Sequence, residues 1–233
     1  MKWLGLFAHT AWRFLSRVRR MREDSLSRRL WLYAVFLVSG FAALIYQVVW
    51  QRSLFAIYGI NVESVTMVVT AFMLGLGIGS IAGGAISKDP SRPALLLFSI
   101  VELGIGLFGL VSLSLFHWVG SFTLGMSTLG TFFITFVLVL FPTMLMGATL
   151  PLLVSHLVRA SGNVGKSVGT LYFVNTLGSA LASAIAVLYL MGHHGQSGSV
   201  RIAACLNFLV SAGAFVAHRM GQAAGPSSAN EAA

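Results

Sequence analysis

The chain has 233 residues, of which 57% are hydrophobic and only 9% charged, with a mean hydropathy of +0.86. A soluble domain carries about 25% charged residues, so this composition excludes a soluble globular fold and points to an integral membrane protein. The net charge of +9 is no nucleic-acid footprint either, because eight of the fifteen Lys/Arg precede residue 30 and the others punctuate apolar runs.

In chain order, the first stretch is "MKWLGLFAHTAWRFLSRVRR". It mixes basic and apolar residues instead of setting one apolar block after a basic start, so a cleaved signal peptide is not expected. On a helix, Leu4, Phe7, Ala11, Phe14, Leu15 and Val18 share one face, and Arg13, Arg17 and Arg20 share another. Residues 1–29 are therefore predicted to be a basic amphipathic helix on an anionic cytoplasmic leaflet.

A spanning helix needs roughly 20 apolar residues, and six stretches qualify: about Leu30–Trp50, Val62–Ala85, Ala94–His117, Leu129–Leu150, Val168–Met191 and Val200–Ala217. With both termini inside, thirteen Lys/Arg fall on the inner side and only Arg52 and Arg201 on the outer. That bias sets the orientation by the positive-inside rule. The predicted fold is an all-α, six-helix transmembrane bundle over 30–219, followed by a small, polar, disordered cytoplasmic tail at 220–233.

Lipid gives helices no hydrophobic reason to associate, so small residues that allow close backbone approach become the packing signal. Span two carries Ala71, Gly75, Gly79 and Gly83 at four-residue spacing, and span five carries Gly178, Ala182 and Ala186. Both stripes are expected to pack within the fold, although a homodimer would use the same device. The run "GLGIGSIAGG" superficially matches a dinucleotide fingerprint, but it lies inside a span, without the strand that motif requires. Span four holds Pro142 and Pro151 around Gly147. Each proline frees a carbonyl four residues earlier, so a kinked or broken helix is expected.

Ionisable residues at membrane depth are costly and mark function by default. Glu102 lies about 12 Å into span three from the inner side, at 1.5 Å per residue. Asn175 enters span five to similar depth, with Thr149 and His156 near the same level. These four define a candidate polar cluster facing the cytoplasm. At the outer rim, Trp50 is expected to anchor at the interface, and Arg52, in the outer connection, lies within reach of Glu63. His193 and His194 fall in an outer turn, and two adjacent histidines do not make a metal site. Cys205 is the single cysteine, so no internal disulfide forms.

The stretches "SGFAALIYQVVWQRSL", "AFMLGLGIGSIAGG", "VELGIGLFGL", "PTMLMGATLPLLV" and "GKSVGTLYFVNTLGSALAS", in that order, resemble the transmembrane part of membrane-bound spermidine-synthase-like proteins. These are also described as fused major-facilitator/spermidine-synthase proteins. The resemblance covers Val38 to Leu190 and implies half of a major-facilitator-type transporter. It also implies polyamine chemistry. Two departures stand out. The family has a carboxylate where this chain has Gln47, and its longer members continue into a soluble aminopropyltransferase domain that this sequence does not contain. An enzyme is therefore not expected, and no cofactor or metal. The expected function is a polytopic inner-membrane, transporter-like module for a small, polyamine-like cationic solute, with Glu102, Asn175, Thr149 and Gln47 as substrate-binding candidates. Gly75, Gly79, Gly83, Pro142, Pro151 and Gly178 are the packing candidates. The alternative is a non-catalytic scaffold or anchor that assembles with a partner, such as a separately encoded aminopropyltransferase-like domain. The expected partners are the bilayer, anionic lipids at the N-terminal helix, and a second copy or a membrane-complex subunit; no nucleic acid is expected.

Overall fold

The computed structural model describes the backbone of residues 2–59, 62–123 and 125–223, and all side chains within those ranges except 2–26, 28, 62–64, 128 and 223. It divides into two compact units, Met1–Ala34 and Val35–Ala233. In chain order the helices are α1 (Lys2–Tyr58), α2 (Val62–Ser87), α3 (Ala94–Thr123), α4 (Thr128–Ser161), α5 (Val164–Ile185), a π-helical turn (Ala186–Leu190) and α6 (Met191–Ala223). No strand occurs among the described residues. Five helical stretches are long and apolar enough to cross a membrane: Arg29–Tyr58, Val65–Ser87, Ala94–Thr123, Leu129–Ser161 and Val164–Gln222. The chain is thus an all-helical, multi-pass membrane protein.

In the first unit the backbone is helical from Lys2. The side chains that would define its amphipathic face lie outside the described residues, as do Glu63 and the tail from residue 224.

In the second unit, three boundaries differ from the hydropathy limits. The first span was expected to stop at Trp50, yet α1 continues to Tyr58, so Gln51, Arg52 and Ser53 are helical and Arg52 is not in a connection. A helix that has begun keeps satisfying its backbone groups through its own ladder, and only Gly59 (φ 88°), whose N–H bonds the Phe55 carbonyl at 2.9 Å, ends it. The segment around His193 and His194, expected to be a turn, is likewise almost wholly helical, and within it only Gly195 (φ 63°, ψ −172°) leaves helical geometry. Glycine alone adopts that backbone without a Cβ penalty. Finally, α4 passes through Pro142 and Pro151 without a break. The carbonyl of Gly147, which Pro151 cannot reach with an N–H, accepts instead from Ser80 Oγ on α2 at 3.2 Å. A neighbouring hydroxyl thus does what the expected break would have done.

The helices join in two ways. Along α2 and α4 the glycines let backbones touch: a Cβ at Gly75 would strike Thr143, at Gly79 the Met144 backbone, at Gly83 Ala148, and at Gly147 the Leu76 backbone. Residue numbers rise together along this seam, so α2 and α4 run parallel. Gly178 of α5 meets Leu37 and Phe41 of α1 in the same manner, and Ser179 Oγ donates to the Gly40 carbonyl at 3.1 Å. Between α3 and α6, Ser99 and Ser211 exchange hydroxyl-to-carbonyl bonds of 2.8 Å each.

At the other end of the bundle from Ser99, Trp50 is fully buried against Tyr46, Phe72, Phe108 and Phe116, with ring centroids 5.0, 6.1, 5.6 and 5.9 Å away. Its indole N–H donates to Ser112 Oγ at 2.9 Å. Trp50 is therefore a core residue and not an interface anchor, because its polar handle finds a protein partner instead of water or headgroups.

Candidate functional site

Glu102 sits on α3 between the Ser99 clasp and Gly106, with none of its surface exposed. Its Oε1 accepts from Ser39 Oγ of α1 at 2.5 Å, and its Oε2 accepts from Asn207 Nδ2 of α6 at 2.6 Å. Both distances lie at the short end for charge-assisted bonds. The sequence places these donors by simple register. The α1–α3 pairs Ser39–Glu102, Trp50–Ser112 and Tyr58–Thr123 keep a nearly constant separation of 63, 62 and 65 residues, so α1 and α3 run parallel with serines and aromatics turned inward. Pairing Ser99 with Ser211 and Glu102 with Asn207 makes α6 antiparallel to α3.

Beside this triad lies a cavity of about 60 Å³ lined by Ser39, Ala43, Leu76, Ile105, Met146, Thr149, Asn175 and Asn207. Each of the six helices contributes at least one residue. That space is enough for a few water molecules. Three side chains on its wall have fixed hydrogen-bond roles. Ser39 donates to Glu102, Thr149 Oγ1 donates to the Met146 carbonyl at 2.7 Å within its own helix, and Asn207 donates to Glu102. Asn207 is 1% exposed, and its Oδ1 has no protein partner. The Tyr46 hydroxyl is likewise buried without a partner, next to Gly109.

Of the residues singled out from sequence, Thr149 and Asn175 line the cavity, and Glu102 stands behind the two donors that do. Gln47 is half-buried, one helical turn past Ala43, and is not on the cavity wall. His156 is also off the wall, two turns beyond Thr149 and within electrostatic range of Arg159 and His218. Sequence reasoning missed Ser39 and Asn207. Asn207, in "CLNFLV", was detectable by the rule that selected Asn175, an amide inside an apolar run. Ser39 offered no such signal, since serines are frequent in spans.

Outside the site, Arg159 at the end of α4 holds the α2–α3 connection, forking four N–H bonds of 2.8–3.3 Å onto the carbonyls of Ser87, Asp89, Pro90 and Arg92. Within that connection Asp89 Oδ1 accepts from the Ser91 hydroxyl at 2.7 Å and from its backbone N–H at 2.9 Å. Those bonds, and Arg92 nearby, hold the Asp89 carboxyl below its ordinary range. His193 Nδ1 lies 2.9 Å from the Tyr189 carbonyl and its ring stacks on Tyr189. No group of three His, Cys, Asp or Glu suited to a metal occurs among the described residues.

Comparison with protein-family models, with curated proteins and with solved structures gives no match to this chain.

Proposed function

We propose that this chain is a six-pass, transporter-like protein of a bacterial-type inner membrane, with both termini cytoplasmic, that recognises or moves a small cationic solute. The observation that carries the proposal is the fully buried Glu102 carboxylate beside a cavity of mixed polar and apolar lining to which all six helices contribute. A carboxylate at membrane depth costs roughly 2.5–3.5 kcal/mol or more, and a purely structural clasp between α1, α3 and α6 needs no charge. Six passes are supported by the last stretch, Val164–Gln222. Its 59 residues would extend about 88 Å as one straight helix, against a bilayer core of about 30 Å. Gly195 breaks it, and α6 then runs antiparallel to α3.

Polyamine specificity comes from the resemblance to membrane-bound spermidine-synthase-like proteins. A cavity of about 60 Å³ does not hold a polyamine, so transport requires a second state in which the helices around it separate. Uptake of labelled spermidine into proteoliposomes tests the proposal: flux in the wild type and its loss in Glu102→Gln are the expected results. The rival, a membrane anchor for a partner protein, draws on one observation: both Glu102 oxygens already have donors within the fold. No wild-type flux, together with a stoichiometric co-purifying partner, would favour the anchor.

A further inference from the structure

Glu102 has the surroundings of a neutral acid. It is fully buried on α3, and among the described residues no Lys, Arg or His pairs with it. Its hydrogen bonds come from two uncharged groups, the Ser39 hydroxyl and the Asn207 amide. A charge buried without a counter-charge costs more than two neutral donors return, so such a group takes up a proton instead. The groups that face Glu102 electrostatically are Tyr46 of α1 and, acting on Tyr46, Cys205 of α6, and neither brings a positive charge. On α4, His156 interacts with Arg159 and His218 instead, while α2 and α5 present Leu76 and Asn175 at the cavity, neither of which titrates. The cavity adds no counter-charge. Ala43, Leu76, Ile105 and Met146 make much of its wall apolar, and the amides of Asn175 and Asn207 each carry donors and an acceptor. Such a lining suits water and selects neither sign of charge.

The bond lengths fit a carboxyl that carries its proton. The Asn207 contact is 2.6 Å, shorter than the roughly 2.7–3.2 Å of N–H···O bonds and inside the roughly 2.5–3.0 Å of O–H···O bonds. The oxygen and nitrogen ends of an amide have nearly the same shape. A half-turn therefore sets Oδ1 against Glu102 Oε2 and turns the N–H₂ group away from it. Oε2–H then donates to Oδ1, the atom that otherwise has no protein partner. Oε1 still accepts from Ser39, and water in the cavity can accept from the amide.

We infer that Glu102 is a proton-binding site, protonated while α1, α3 and α6 are packed as in this structure and deprotonated when they separate, so that a cationic solute enters in exchange for its proton. The proton site rests on the geometry; the exchange rests on the transporter function proposed above. Separation brings water to the carboxyl. The O–H bond on Oε2 breaks, its electron pair stays on the carboxylate and the proton passes to water. The carboxylate then holds one positive charge of the solute, so one charge arrives at the site as one proton leaves. Proton and solute thus compete for one group, and the packed state needs no buried ion.

Infrared spectroscopy of the full chain in liposomes tests the proton site without any solute. Expected is a carboxylic-acid C=O band at neutral pH that Glu102→Gln abolishes. Ser39→Ala, which leaves the carboxyl in place and removes the donor to its C=O, should shift the band to higher frequency. That shift keeps the assignment testable if Glu102→Gln fails to fold. No carboxylic-acid band at neutral pH, or a band that neither substitution changes, would overturn the site. Uptake of labelled spermidine by the same liposomes, at zero membrane potential, tests the exchange. An acidic interior should drive accumulation, with the inside-to-outside ratio rising about tenfold per pH unit for one proton per solute. Flux indifferent to the pH gradient overturns the exchange and leaves the transporter; the band without flux supports the proton site and overturns the transporter.

Discussion

The α2–α4 seam and the α1–α3–α6 cluster solve one problem in opposite ways. Helices in lipid gain nothing from apolar burial alone, so contact needs either very close backbones or hydrogen bonds between them. The α2–α4 seam takes the first route, with Gly75, Gly79, Gly83 and Gly147 each leaving room for the partner helix itself. The α1–α3–α6 cluster takes the second, through Ser39, Glu102, Asn207, Ser99 and Ser211. The seam still carries a hydrogen bond, from Ser80 to the Gly147 carbonyl, and α2 and α4 lend Leu76, Met146 and Thr149 to the cavity. A cluster closed by polar side chains retains unused lone pairs, and the cavity lies beside it.

The comparison breaks most visibly at Gly79. Gly79→Leu places a side chain where the Met144 backbone lies, and it should cost about 3 kcal/mol or more, seen as loss of monodisperse protein in detergent. Gly77→Leu is the control on the same helix, with open space around it, and should stay within about 0.5 kcal/mol. Recovery of well-folded Gly79→Leu would mean that the seam is looser than described.

The polar cluster should respond less steeply. Ser39→Ala removes one donor to Glu102 and should cost about 1–3 kcal/mol in thermal stability, while Ser39→Thr, which keeps the hydroxyl, should recover much of it. Equal losses in both would show that packing at residue 39, and not the bond, matters. Trp50→Phe should cost about 1–3 kcal/mol through lost ring contacts and the lost indole bond to Ser112, whose hydroxyl keeps its own bond to the Gly109 carbonyl. Trp118→Phe, at a ring 64% exposed, should cost about 0.5 kcal/mol or less. Loss of the buried tryptophan's fluorescence component in Trp50→Phe alone would check the assignment.

The α2–α3 connection gives the smallest effects. Arg159→Lys cannot fork onto several carbonyls and should speed proteolysis between residues 88 and 93 with little change in melting. Asp89 adds a pH dependence. Its folded pKa is depressed, chiefly by the Ser91 hydroxyl, so its contribution to loop order is present above the unfolded value and lost as pH falls through the folded one. Hydrogen exchange of the Ser91 amide should quicken in that acid range beyond its intrinsic change, and Asp89→Asn should remove the effect.

Much of the fold was readable from residues. Apolar runs of about 20 residues located the helices, because backbone without water must satisfy itself. The glycine period in α2 marked a tight face, because only missing side chains permit backbone contact. The helix caps came from the structure: Ser127 accepts from the Gly130 amide at the start of α4, Asn163 accepts from the Lys166 amide at the start of α5, and Gly162 in left-handed geometry ends α4. The continuation of α1 through Arg52 and the unbroken run of α4 through Pro151 were not readable. The first depends on where the helix ladder ends and not on polarity, and the second on a serine of another helix.

The sequence by itself determined that the chain lives in a membrane, where its apolar helices lie, and that Glu102 is the acidic residue at membrane depth. Only the tertiary structure decided which groups meet that carboxylate. Ser39 stands 63 residues before it and Asn207 stands 105 after it. The physical reason is rotational. A helix apolar on nearly every side carries little periodic information about which face turns inward, so its angle about its own axis is set by its neighbours. That angle brought Asn207 to the cavity, left Gln47 off its wall, and buried Trp50.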